Sequence, residues 1–264
     1  MTDKDPMQIS EAELRSMTAD LADMHHETFP ALQEELADFG ASLRPDAAKD
    51  GGLIRIGATR RQFLFGVGLA AGGLALAACG GNSDNGTTAA PSNGSSDKAD
   101  TAGLRTNASI ENLAVFAYGA ALSAAPKGKF GKVPDAVAGF AQHAMAQHAD
   151  HAKAFNAALK GAGAQEYTKP DPALAATVQT AFGKIDNVPD LAKLALSLEN
   201  TAAATYIKQM GEFTSPQALS AVATIAPVER QHAAILHYLL GEYPVPDTFV
   251  PLDLARPSSD VPSS

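Results

Sequence analysis

The chain has 264 residues and a formal charge of −9, enough length for one good-sized core or two small ones. The acidic balance argues against a nucleic-acid partner, because phosphate binding needs a concentrated basic surface. A single cysteine, Cys79, excludes an intramolecular disulfide, so packing alone has to hold the fold. There is no tryptophan, and alanine is abundant in the second half, where small side chains let helices approach closely.

Residues 1–50 form an acidic extension. Leu14, Met17, Leu21, Met24 and Phe29 lie among helix formers between residues 9 and 40, so the segment is either a weak amphipathic helix or disordered, left in the cytoplasm or degraded after export. The other reading is that the true start lies later in the chain. Its His25-His26 pair reads as a solvated surface pair rather than a ligand set. Residues 51–79 carry Arg60 and Arg61, followed by an apolar, Gly- and Ala-rich run that is free of charge up to Ala78. The run is shorter than the roughly 20 residues of a comfortable membrane span. An arginine pair before a moderately apolar run resembles the twin-arginine export signal. Leu76-Ala77-Ala78-Cys79 resembles the lipobox of bacterial lipoproteins. That resemblance implies a lipidated Cys79 as mature N-terminus and an anchor in the membrane, with the twin-arginine translocase as partner during export. Residues 80–103 are almost devoid of core-forming side chains and read as a flexible linker.

Beyond the linker, residues 104–243 show helical periodicity in four stretches, predicted at 107–125, 134–161, 189–211 and 215–240. Pro near the starts and Gly at the ends supply the expected punctuation. A shorter helix is predicted at 172–183, within the crossover between the second and third. Residues 244–264 hold many prolines and read as an extended, surface-lying tail. An internal repeat ties the long helices together. Glu111-Asn112 with Tyr118 matches Glu199-Asn200 with Tyr206, Tyr following Glu by two helical turns on one face. His148 and His151, with Leu159, align with Glu229 and His232, with Leu240. Two helical hairpins related by a pseudo-twofold produce this pattern, so the fold class is all-α, a four-helix bundle with one long crossover.

Each repeated polar residue falls on the apolar stripe of its helix, beside Val115 and Leu122, Ala203 and Met210, Ile225 and Leu236, or Ala144 and Phe155. A buried carboxylate without a partner is very costly. Glu111, Glu199 and Glu229 therefore need cations or protons. This constellation resembles the ferritin-like superfamily, the di-metal carboxylate bundles that include bacterial ferritin and rubrerythrin, in which two helices each give a Glu and two each give Glu-x-x-His. The resemblance covers about half the chain and implies a metal site of Glu111, His148, His151, Glu199, Glu229 and His232. His148 stands where the family has a glutamate, often one that bridges both metals. Three carboxylates leave a net charge near +1 with two divalent ions, and imidazole favours zinc, copper, nickel or ferrous iron over the hardest cations. Three outcomes stay open: a single metal, a dinuclear site of altered preference, or a metal-free ion network.

Other polar residues rank lower. His143 lies near the face of His151. His237 reads as structural or surface, and Glu212, Glu242 and Asp247 as solvated end residues. Tyr118 and Tyr206 are candidates to donate to ligand carboxylates or to pass electrons, with plain core aromatics as the other reading. Together these features imply an exported ferritin-like protein on the outer face of the cytoplasmic membrane, binding iron or another transition metal, with a redox or oxidative-stress role. A closed storage cage fits a lipidated N-terminus poorly, and a homodimer is allowed. The rival expectation is a metal-free scaffold or interaction module of the cell envelope.

Overall fold

A computed structural model of the protein describes residues 9–44, 96–259 and 261. Arg60, Arg61 and Cys79 lie outside the described residues. Among the described residues there are six α-helices and no strand: α1 (Glu11–Ser42), α2 (Ser96–Ala124), α3 (Asp135–Gly161), α4 (Ala175–Lys184), α5 (Val188–Gln209) and α6 (Pro216–Leu239). None of them is long and apolar enough to cross a membrane.

Helices α2 and α3 form one hairpin and α5 and α6 the other, with α4 in the crossover, as the repeat implied. The starts are set locally. Asn187 accepts a hydrogen bond from the Asp190 amide at 2.9 Å, and Ser215 from the Gln217 amide at 3.2 Å. In both helices Pro occupies the first turn, where its missing N–H costs nothing. Beyond the end of α3, Gly163 takes a left-handed backbone (φ 74°) that a side chain would strain. The bundle interior is built on alanine, with Ala108, Ala154, Ala158, Ala202, Ala221 and Ala226 buried alongside Leu104, Phe155, Leu159, Tyr206 and Ile225.

Three features depart from the sequence reading. Helix α2 begins at Ser96, so the last residues of the expected linker are helical. The cause is Asp100, which is buried and accepts from the Thr214 amide, the Thr214 hydroxyl and the Ser215 amide at 3.0–3.1 Å, tying the start of α2 to the α5–α6 turn. The tail is extended but packs into the bundle. Arg256 donates its amide to Thr205 (2.9 Å) and its Nε to buried Asp171 (3.3 Å). The Thr106 hydroxyl donates to the Ser258 carbonyl at 3.2 Å.

The third is α1, which docks along the bundle against α3 and α6. Ser10 and Glu13 form a reciprocal capping box at its start. Leu14, Leu21, Phe29, Leu32, Leu36 and Phe39 are buried, each stabilising the dock by ~1.5–3 kcal/mol before ordering costs. At its C-terminal end the backbones nearly touch. A Cβ on Gly40 would lie 2.2 Å from the Ala158 carbonyl oxygen, and one on Gly161 would lie 2.9 Å from the Gly40 carbonyl carbon. Arg44 Nε closes this end by donating to the Gly161 carbonyl at 2.9 Å.

Candidate metal centre

The bundle brings all six sequence-derived site residues together. Glu111 comes from α2, His148 and His151 from α3, Glu199 from α5, and Glu229 and His232 from α6, and all six are essentially buried. They form two overlapping groups, Glu111-His148-His151-Glu229 and His148-Glu199-Glu229-His232, each with donor atoms within 4.8 Å of one another. The groups share Glu229 and His148. The pseudo-twofold thus survives as two half-sites with a common middle.

One half-site places His151 Nδ1 3.2 Å from Glu229 Oε1 and 3.4 Å from Glu111 Oε1. The other places His232 Nδ1 3.3 Å from both Glu199 Oε2 and Glu229 Oε2. Between them His148 reaches Glu111 Oε2 with Nδ1 at 2.7 Å and Glu199 Oε1 with Nε2 at 3.2 Å. Two acceptors at its two nitrogens make it an imidazolium that donates twice. His148 therefore links the two outer carboxylates through protons.

The tyrosines of the repeat are exchanged between helices. Tyr118 of α2 donates to Glu199 Oε1 of α5 at 2.5 Å, and Tyr206 of α5 donates to Glu111 Oε1 of α2. Tyr118 also stacks on His148, ring centroids 5.7 Å apart. Burial and the facing carboxylates push both phenols well above their usual range, so they stay protonated donors.

Burial pushes Glu111 up, but the imidazoles of His151 and His148 outweigh it and hold the carboxyl at about 2. Glu199 is held well below the usual range against the same penalty by His148 and His232. Conversely, burial pulls the imidazoles down and the glutamates overcome it. Glu199 and Glu229 raise His148 well above its ordinary value, Glu111 raises His151 to about 9, and Glu199 raises His232. Glu111 and Glu199 are thus held as carboxylates against three imidazolium groups, and with Glu229 counted as a carboxylate the proton-loaded site is formally neutral.

The donor set fits a cation. His151 Nδ1 and Glu229 Oε1, though buried and close, make no hydrogen bond among the described residues, which is costly unless something sits between them. At His232 the tautomer is fixed from outside. Gln147 Nε2 donates to the Leu21 carbonyl of α1 at 3.2 Å, so Gln147 Oε1 faces His232 Nε2 at 2.7 Å and must accept from it. In the neutral ring that leaves the Nδ1 lone pair aimed at Glu199 and Glu229, as an imidazole metal ligand requires.

Two parts of this surround were not anticipated. Gln147 carried no sequence signal. His25 is not a solvated residue: it stacks on Phe29 (4.7 Å between centroids) and lies 5.2 Å from the His151 ring, which lies 6.0 Å from Phe29. The apolar stripe of α1 carries it there, while His26 is exposed. His143 is exposed and outside the site. His237 is buried and pairs through Nδ1 with Glu242 Oε2 at 2.7 Å, so Glu242 is engaged rather than merely solvated. Glu212 accepts from the Ser258 hydroxyl at 3.0 Å, and Asp247 is exposed.

No curated protein and no solved structure matches the chain. The family model described as a ferritin-like domain matches residues 99–242, more than half of it.

Proposed function

From the chain's membership of the ferritin-like domain family, we propose that the bundle core is a transition-metal centre of an exported, membrane-anchored protein. The observation that carries the reading is the pair of buried four-residue groups sharing Glu229 and His148. Glu111, His151 and Glu229 would hold an ion in one half-site, and Glu199, Glu229 and His232 in the other. Iron, or another ion suited to imidazole and carboxylate together, is the metal class this donor set favours, and when bound it would supply one-electron redox chemistry, the basis for an oxidative-stress role. Around it Tyr118 and Tyr206 orient the outer carboxylates, Gln147 fixes the His232 tautomer, and the apolar core excludes water. His148 must yield a proton before it can ligate, so it sets the charge the site accepts.

The order of Arg60-Arg61, apolar run and Cys79 supports export through the twin-arginine translocase and lipid anchoring at the outer face of the cytoplasmic membrane. In cells, Cys79→Ser should move the protein from the membrane to the soluble fraction, and Arg60→Lys with Arg61→Lys should keep it in the cytoplasm. The metal reading is tested by elemental analysis of the full chain after reconstitution with iron, zinc, copper and manganese in turn. Absence of a stoichiometric ion in every case would refute it.

The neutrality of the proton-loaded site favours a second reading, a metal-free bundle that serves as an envelope scaffold. Glu199→Ala and His232→Ala separate the two. A scaffold loses only stability, whereas a metal protein also loses its ion.

A further inference from the structure

Helix α1 does more than add a fifth layer: it touches both half-sites. At one, His25 and Phe29 form the outer wall of His151. At the other, the Leu21 carbonyl holds Gln147, which in turn holds His232. These contacts come from successive turns on one face of α1, so a single rigid movement breaks them all. The rest of the wall belongs to the bundle. Helix α1 is also separate in sequence, because the whole of residues 45–95 lies between it and α2, including the arginine pair and Cys79. Cutting the chain before Cys79 would remove its only covalent tie to the bundle.

We propose that α1 is a detachable lid seated in the α3–α6 groove, which closes the metal centre and retains the ion in the uncut chain. The inference rests on the metal-centre reading. The ligands come from α2, α3, α5 and α6, so the site is complete without α1. What α1 adds is the wall over His151 and the brace behind His232. With the lid seated, an ion leaves only when α1 lifts. With it displaced, His151 faces solvent and Gln147 loses its fixed amide orientation. Processing at Cys79 would leave α1 held to the bundle by these non-covalent contacts alone, so that a lid once lifted would no longer be tethered beside the site.

The test uses the full chain with Cys79→Ser, so that no thiol or lipid interferes. Gly40→Val drives a side chain into the Ala158 backbone and prises α1 away. Phe29→Asp removes the wall itself. Each protein is loaded with ferrous iron and challenged with excess chelator, and iron release is timed. Both variants should release iron at least tenfold faster than the parent, with helical content kept. A thiol at buried position 29 (Phe29→Cys) reports lid opening without any metal, and should react with a maleimide at least tenfold faster when Gly40→Val is added. Equal release rates despite a freely reactive thiol would overturn the inference and reduce α1 to a packing helix. Unfolding of the whole bundle in both variants would overturn it too, since a lid must be separable from the core. If no protein binds iron or the other reconstituting ions, the metal-centre reading fails first and the lid falls with it.

Discussion

His148→Glu places a carboxylate where the other half of the internal repeat has Glu229, and the geometry predicts effects of opposite sign with and without metal. In the metal-free chain His148 donates to Glu111 and Glu199 from a wholly buried position. The substitution replaces that doubly donating cation with a fourth carboxylate, leaving two imidazoles to face four acids. Removing one partner of a buried ion pair costs about 3–5 kcal/mol, less whatever the new acid recovers by taking up a proton. For a chain of this size each kcal/mol moves the melting temperature by about 2–4 °C, so in chelator it should fall by roughly 10 °C. With divalent metal the charges invert, because four carboxylates neutralise two ions. The stabilisation on adding ferrous iron or manganese should then exceed that of the parent at the same free metal concentration, each bound ion contributing about 4 kcal/mol at a thousandfold excess over its Kd, and metal content should rise towards two per chain. Thermal unfolding by circular dichroism in chelator and in metal, with elemental analysis of both proteins, measures each half. An unchanged melting temperature in chelator would refute the assignment of His148 as the cation linking the outer carboxylates. Unchanged metal content would refute its role in limiting occupancy.

The metal-free chain should have a defined pH window. His151, raised from an ordinary 6.5 to about 9, contributes stability that is full below 6.5 and lost as pH rises through about 9. Glu111, held at about 2 against 4.5, contributes stability that is full above 4.5 and lost as pH falls through about 2. Urea midpoints in chelator should therefore plateau between these ordinary values, and a midpoint that climbs towards pH 9 would contradict the charged network. Gln147→Leu removes the acceptor that fixes His232 and should weaken metal binding by roughly 10–100-fold with little change in fold, read by competition with a chromophoric chelator. Tyr206→Phe deletes one hydrogen bond to buried Glu111 and should cost about 1.5–3 kcal/mol in urea unfolding of the metal-free chain, with Tyr118→Phe costing a similar amount through Glu199. Because the imidazoles enter the site protonated, one divalent ion should displace about two protons; calorimetry in buffers of different ionisation enthalpy counts them, and no release would mean that the imidazoles stay charged.

The bundle and its six polar residues were legible because helical periodicity makes a polar residue on an apolar stripe conspicuous, and because the repeat supplied each position twice. Glu111 with Tyr118 and Glu199 with Tyr206 sit two turns apart, so the exchanged hydrogen bonds needed only the correct pairing of helices. What stayed hidden depends on surfaces meeting at a distance. The apolar positions of α1 are spread thinly among acids and interrupted by Pro30, and a stripe of that kind does not reveal which groove it fills. The key contact is made by Gly40, a residue whose importance lies in having no side chain. Gln147 gave no signal because a glutamine next to a histidine on a helix is ordinary, and its role exists only once the Leu21 carbonyl is brought beside it. The start of α2 was hidden for a related reason: Asp100 looks like a linker acid until Thr214 and Ser215 present their donors.

The same charge accounting links the metal-free and metal-bound forms. A site of four carboxylates and two imidazoles carries an uncompensated negative charge until metal arrives. With three of each, protons alone satisfy the cluster, so the bundle folds around a neutral core before any ion is present. Neutrality is also kept when one divalent ion takes the place of two of the three protons, whereas a second ion leaves an excess positive charge that an anion from solvent must offset. On the metal-centre reading, the histidine at position 148 would therefore lower the drive to acquire two ions and would let the bundle fold without metal. On that same reading the bundle folds empty, would load by exchanging protons for metal, and would prefer the first ion to the second.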